Sequence, residues 1–155
     1  MHMKLHTDYA LRMLIFLALR KGRPCTVNDV AESYGLSRNH LLKVALNLRK
    51  LGLISTARGR SGGIRLALAP DQINIGVLVR HVEDDFVLVE CLRADEGACI
   101  ISPACRLRGM VREALNAYLA VFDKYSLADL VANGEALRML FDLAEAGGKH
   151  EDATA

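Results

Sequence analysis

The sequence predicts a mainly α-helical chain: a winged helix-turn-helix head with a small β-hairpin wing, then a long C-terminal dimerisation helix. Three observations predict it. Two amphipathic segments, residues 26–33 and 37–51, are separated by a turn at Gly35, which is the helix-turn-helix pattern. Two short strand-like runs, 53–57 and 64–68, follow at once and flank the tip Arg58-Gly-Arg-Ser-Gly-Gly63. Beyond residue 105, apolar residues recur at three- and four-residue steps as far as Tyr125, the spacing of one helix face. The boundaries that follow are 1–70 for the winged helix-turn-helix, 71–104 for a linker helix and cysteine loop, 105–146 for the dimerisation and C-terminal helices, and 147–155 for a flexible tail.

The elements can be justified in order. Residues 4–20 read as a helix with Leu11, Leu14, Ile15 and Ala18 in one stripe and Thr7 or Asp8 near its start; Gly22 and Pro24 end it. Asp8 can cap the helix or pair with Arg12 one turn on. Cys25 stands alone in the next turn and reads as structural. Thr26-Val-Asn-Asp29 is a capping box, and Gly35 is a natural stop. Ser37 caps the second helix, with Leu41, Leu42, Ala45, Leu48 and Leu51 inward. Arg38, Asn39, His40, Lys43, Asn47 and Lys50 are left facing out. The early residues of such a second helix enter the major groove, and Arg, Asn and Lys suit base edges and phosphates. A merely solvated polar face would carry the same residue types.

The hairpin that follows favours the DNA reading. Glycines let backbone approach a phosphate and arginines neutralise it. The tip lacks the Lys-Ser/Thr ending of a nucleotide-binding loop and opens a strand instead of a helix. The candidate contacts are therefore Ser37, Arg38, Asn39, His40, Lys43 and Asn47 on the helix, with Arg58, Arg60, Ser61, Gly62, Gly63 and Arg65 on the hairpin. Pro70 then breaks the strand, and Asn74 caps a helix to Val82 that turns Ile75, Leu78, Val79 and Val82 inward.

Cys91, Cys99 and Cys105 are spaced C-x7-C-x5-C. A disulfide would strand one thiol, and zinc knuckles favour shorter steps. Soft thiolates also suit an iron–sulfur cluster, which would need a fourth ligand; three reduced, buried cysteines are the remaining reading. Ser102 and Pro103 predict a helix start that puts Cys105 in the first turn, beside Arg106 and Arg108. The helix continues to about Lys124 with Leu107, Val111, Ala114, Leu115, Tyr118, Phe122 and Tyr125 on one stripe. A second copy would cover that stripe and would match the two half-sites of a palindromic operator. Ser126-Leu-Ala-Asp129 is a further capping box, Gly134 ends that helix, and 135–146 is helical.

Composition narrows the classes. The 155 residues are 52% hydrophobic with a net charge of +2, so a packed domain is expected and any basic surface must be local. The absence of Trp argues against a base-stacking single-strand binder. No apolar run is long enough to span a membrane, and no signal-peptide pattern opens the chain, so a cytoplasmic protein with no membrane partner is expected. His2, His6, His40, His81 and His150 sit near no nucleophile pairing, so no enzyme is expected.

Several stretches together resemble a known group. They are Thr7-Asp-Tyr-Ala-Leu-Arg12, Ser37-Arg-Asn-His-Leu-Leu-Lys-Val44, Arg58-Gly-Arg-Ser-Gly-Gly-Ile-Arg-Leu66, Ile73-Asn-Ile-Gly-Val-Leu-Val-Arg-His-Val-Glu83, Leu88-Val-Glu-Cys91, Ser102-Pro-Ala-Cys-Arg-Leu107 and Tyr125-Ser-Leu-Ala-Asp-Leu-Val131. Over roughly residues 3–132 the chain resembles the NsrR group of nitric-oxide-sensing repressors, relatives of the iron–sulfur regulator IscR. The resemblance implies a homodimeric winged-helix repressor of double-stranded operator DNA with nitric oxide as signal. It implies a cluster, [4Fe–4S] favoured and [2Fe–2S] the alternative, on Cys91, Cys99, Cys105 and Asp8 of the partner subunit. The IscR branch has a histidine three residues after the last cysteine, where this chain has Arg108. The long first cysteine gap resembles iron-responsive RirA-type relatives, so an iron- or redox-responsive repressor is the alternative on this scaffold. An iron–sulfur or zinc module without DNA targets is the rival outside it.

Overall fold

The computed structural model describes residues 3–57, 59, 62–83, 86–89, 92 and 100–151, with the side chains of Ser102 and of 143–151 excepted. Seven helices and one hairpin follow in the order α1 (Leu5–Leu19), α2 (Val27–Tyr34), α3 (Arg38–Lys50), β1 (Ile54–Ala57), β2 (Gly63–Leu66), α4 (Ile75–Val82), α5 (Arg106–Phe122), α6 (Leu127–Leu130) and α7 (Gly134–Glu151). Arg58, Arg60, Ser61, Cys91 and Cys99 lie outside the described residues. Among those residues, no helix is long and apolar enough to cross a membrane.

Helix α1 is the centre of the molecule. Ala10, Met13, Leu14, Phe16, Leu17 and Leu19 are all buried, so apolar contact extends well beyond the single expected stripe. The helix packs against α3, α4, α6, α7 and β2. Its N-cap Lys4 makes no side-chain capping bond, a deficit of about 1 kcal/mol. Each fully buried large side chain contributes about 1.5–3 kcal/mol, so burial decides that α1 forms.

The other elements follow local chemistry. Thr26 and Asp29 exchange capping bonds at 3.1 and 2.7 Å, and Gly35 closes α2 with φ 63°. Leu41, Val44, Ala45 and Leu48 form the buried stripe of α3. Leu42, expected inward, is exposed, and Val44 takes its place. A helix advances about 100° per residue, and Leu42 falls on the side that faces the hairpin. The hairpin pairs Ile54 with Leu66 and Ala57 with Gly63, antiparallel. Cys25 extends it by one bridge to Ile64, with N···O distances of 3.0 and 2.7 Å.

Asn74 caps α4 through Val77 N–H at 3.0 Å and donates to the Asp123 carbonyl at 2.9 Å. Ile75, Leu78, Val79 and Val82 are buried as expected. Arg80 forks onto Asp123, which holds the Asp123 carboxyl below the usual carboxylate range. These bonds fix α4 against the far end of α5.

Three expectations at the C-terminal side are corrected. Cys105 is the N-cap of α5, with extended ψ 117°, and not a first-turn residue. The reason is a 3-10 turn at Ser102–Ala104, in which Ala104 N–H bonds to the Ile101 carbonyl at 3.1 Å, before the chain extends. Gly134 opens α7 and does not end α6, which stops at Leu130 with Val131 as C-cap. The α7 backbone then passes Gly147 and Gly148 to Glu151. On α5 only Leu119 is buried; it was absent from the expected stripe. Leu115, Tyr118 and Phe122 are half-buried against the core, whereas Leu107 and Met110 are exposed.

Candidate nucleic-acid interface and metal centre

Helix α3 carries Arg38, Lys43, Arg49 and Lys50 and no acid. That places a local charge of +4 on a chain whose net charge is +2. Arg38, Asn39 and Lys43 are exposed. Ser37 accepts from His40 N–H at 3.5 Å, so its hydroxyl is spent on the helix start. Arg38 and Leu42 line one wall of a groove of about 370 Å³; Thr26, Val27 and Asn28 stand at the head of α2, and Thr56, Ala57 and Gly63 stand on the hairpin. Exposed Leu42 is thus a groove residue, a surface position that its apolar character concealed.

Two expected outward residues are tied down. His40 is half-buried, its ring 4.8 Å from Tyr9 and 5.9 Å from His6. Asn47 Nδ2 lies 3.2 Å from His6 Nε2. The start of α1 therefore grips the flank of α3. On the hairpin, Arg65 is exposed and donates to Ser55 Oγ at 3.4 Å. Gly62 N–H closes a turn on the Gly59 carbonyl at 2.9 Å. Gly63 has φ 153°, and a Cβ there would come within 2.5 Å of the Cys25 carbonyl oxygen. Its presence is explained by close backbone approach, whatever else it touches.

Of the expected metal ligands, Asp8 and Cys105 are described. Asp8 is held by Arg12 in a two-point pair, Nε to Oδ1 at 3.1 Å and a terminal nitrogen to Oδ2 at 3.0 Å. Arg12 in turn lies over the Tyr34 ring, 5.9 Å from its centroid, and the Tyr34 hydroxyl donates to the Arg12 carbonyl. Cys105 is half-buried at the head of a seventeen-residue helix and makes no side-chain capping bond. Its sulfur is therefore not committed to the first-turn amides of α5. Cys25 is the contrast: burial pushes its thiol up to about 11, so it stays protonated. Among the described residues no three potential ligands group together, with Cys91 and Cys99 outside that set. The donor chemistry of thiolates plus one carboxylate fits an iron–sulfur cluster.

One contributor makes contacts that no local motif predicts. Glu83, at the end of α4 where the cysteine segment begins, has a side chain only 8% exposed. It accepts from Thr7 Oγ1 at 2.6 Å and from Lys4 N–H at 3.2 Å. It thereby adds a second carboxylate, beside Asp8, at a helix start whose N-cap Lys4 makes no side-chain capping bond. Its partners lie 76 and 79 positions away, beyond any motif.

A capped helix-turn-helix with an acid-free basic face, beside a two-stranded wing, defines a winged-helix DNA-binding transcription regulator. Comparison with known proteins agrees. Residues 3–133 match the Rrf2 family, described as iron-dependent transcriptional regulators, and the chain belongs to that family. It is 52% identical over 141 residues to the HTH-type transcriptional regulator NsrR of Bacillus subtilis, covering 90% of this chain and 97% of the relative. It is 49% identical over 144 residues to the NsrR of Halalkalibacterium halodurans, covering 92% and 99%. Among solved structures it superposes on CymR, the global cysteine regulator of B. subtilis, with TM-score 0.69 and 29% identity over 86% of this chain and 98% of that one. The T. potens IscR matches with TM-score 0.68 and 25% identity over 88% and 90%.

Proposed function

We propose that this regulator is a homodimeric repressor whose operator affinity is set by an iron–sulfur cluster that responds to nitric oxide. The cluster would be held by Cys91, Cys99, Cys105 and Asp8 of the partner subunit, [4Fe–4S] being favoured over [2Fe–2S]. When bound, it supplies iron that is open to nitric oxide. The observation that carries the reading is the double attachment of the start of α1. Through His6 and Tyr9 it grips Asn47 and His40 of α3; through Thr7 and Lys4 it holds Glu83 at the root of the cysteine segment. Asp8 lies between those contacts. A pull on its carboxylate competes with Arg12 and acts on the helix that steadies α3. An effector shifts a conformational equilibrium only by its differential interaction with the two states, and Asp8 provides such a difference.

The exposed apolar residues Leu107 and Met110 on the first half of α5 support the dimer. A second copy covering them would bring one subunit's cysteine segment to the other's α1. Arg38, Asn39, Lys43 and Arg65 are the described side chains proposed to meet DNA, with Arg58 and Arg60 at the wing tip. His40 and Asn47 are reassigned to positioning α3. Arg38→Ala should weaken binding to all sequences and lower the salt slope by about one unit. Asn39→Ala should cost about 1–3 kcal/mol on the cognate operator alone and relax preference at one base pair. Titrating both variants against cognate and scrambled duplexes at two salt concentrations separates these effects. Unchanged binding in both would remove α3 as the reading helix.

The deciding experiment is an anaerobic visible spectrum of fresh protein, titrated with nitric oxide while operator release is followed. Bleaching of a broad iron–sulfur absorbance in step with release is expected. A cluster indifferent to nitric oxide but lost on iron depletion would replace this reading with an iron-responsive one, which the long first cysteine gap favours.

A further inference from the structure

The cavity between the end of α1 and α7 has a chemistry that neither DNA reading nor cluster ligation uses. Its volume is about 490 Å³, within the range of small-molecule sites. Its floor is aromatic: Phe16 and Phe141 meet edge to face with centroids 5.4 Å apart. Its rim is cationic, with Arg20, Lys21 and Arg23 from the α1–α2 turn and Arg138 from α7. One carboxylate, Asp142, also lines it, so the formal charge of the rim is +3. None of the four cations makes an ion pair or side-chain hydrogen bond among the described residues.

Two details make this more than a solvated basic patch. Arg138 is half-buried, and its five-donor guanidinium has no acceptor among the described residues. The Arg20 guanidinium is stacked over Phe16, 5.6 Å from the ring centroid, which holds one charge at the mouth.

We infer that this cavity binds a small phosphate-class oxyanion, with Arg20, Arg23 and Arg138 on the charged end and the Phe16–Phe141 floor under the carbon skeleton. The same chemistry could be offered by a DNA backbone phosphate, because the α1–α2 turn runs into Thr26 at the operator-facing groove. A walled cavity with a half-buried arginine and an aromatic floor suits a free ligand better than a strand passing over the surface. The α7 wall lies beyond the family-matched segment, which ends at residue 133. Phe141 also meets Tyr34 of α2, centroids 5.1 Å apart, so a ligand joining the turn to α7 would stiffen the first helix of the DNA-reading pair. The inference stands apart from the cluster reading.

The test is thermal unfolding of the full chain with fructose 1,6-bisphosphate, against sodium chloride at matched ionic strength. At tenfold excess over Kd the midpoint should rise by about 3–6 °C. Arg23→Gln, an exposed change, and Arg138→Gln should each remove the rise, while the salt slope of operator binding stays at the wild-type value. No rise, or an equal rise in sodium chloride, overturns the inference. A flattened operator salt slope in both variants, with no bisphosphate rise in the wild type, overturns it in favour of a backbone-phosphate contact.

Discussion

Replacing Cys105 with alanine should leave a folded, helical dimer that carries no iron–sulfur absorbance and has lost operator-specific binding. The local structure explains why folding survives. Cys105 is the N-cap of α5 but accepts no bond from the first-turn amides, so alanine removes a ligand without removing a cap. The side chain is only half-buried, and the cavity left by one sulfur atom is open to solvent. The loss of function should be large because the proposed four-ligand site would be deprived of one of its three thiolates. Without the cluster, Asp8 stays on Arg12, and α3 is steadied from its own subunit alone. Operator affinity should then fall by about a hundredfold or more toward the non-specific level, which lies 10³–10⁷ below specific binding in typical regulators. Circular dichroism, size-exclusion chromatography, the visible spectrum and operator titration at one fixed salt concentration measure the four parts of this result. Retention of wild-type affinity by a cluster-free variant would end the proposal that the cluster sets binding. Cys25→Ala is the matched control. That thiol is 3% exposed and held protonated at about 11 by burial, so its loss should leave the absorbance intact and lower only stability.

Local rules made most of the head legible. Thr26, Gly35, Ser37, Asn74 and Ser126 each act on partners within four residues, and each does in the structure what its local sequence predicts. The Asp8–Arg12 pair is legible for the same reason. What was not legible depends on contacts far along the chain. His40 and Asn47 read as outward because a helix period cannot show that His6 and Tyr9 fold back onto them. Glu83 reads as an ordinary helix-end acid because Thr7 is 76 positions away. Gly63 reads as a phosphate-approach glycine, whereas the Cys25 backbone already requires its missing side chain. Leu42 reads as core because apolar character was taken for burial, while a groove beside the wing also takes an apolar lining. Cys105 reads as three positions too deep because the 3-10 turn at Ser102–Ala104 uses up Pro103 before α5 begins.

Gly76→Ala should destabilise the chain, although helix propensity alone predicts the reverse. Alanine inside a helix is favoured over glycine by about 0.5–1 kcal/mol. Gly76, however, is buried on the side of α4 that meets the end of α5. A Cβ there would overlap Asp123 Oδ1 and approach the Asp123 backbone nitrogen to 2.8 Å. The carboxylate could swing away, but only by giving up its fork with Arg80. The backbone nitrogen cannot move without shifting the end of α5, because Asp123 N–H is bonded to the Leu119 carbonyl at 3.1 Å and the Asp123 carbonyl accepts from Asn74. Overpacking of this kind costs about 1–3 kcal/mol, which exceeds the propensity gain, so the thermal midpoint should fall by about 2–6 °C. A midpoint equal to or above wild type would show that the α4–α5 junction yields freely. Adding Asp123→Ala to Gly76→Ala separates the two contacts: partial recovery assigns the remaining cost to backbone, and full recovery assigns it all to the carboxylate. The junction also bears on the proposed metal centre. Glu83 is the C-cap of α4, Cys105 is the N-cap of α5, and the cysteine segment joins them in the sequence. The contact at Gly76 sets the angle between its two supports. Gly76→Ala should therefore lower the iron-to-protein ratio after anaerobic reconstitution even with every proposed ligand in place, and a normal ratio in a destabilised variant would show that cluster loading does not depend on that angle.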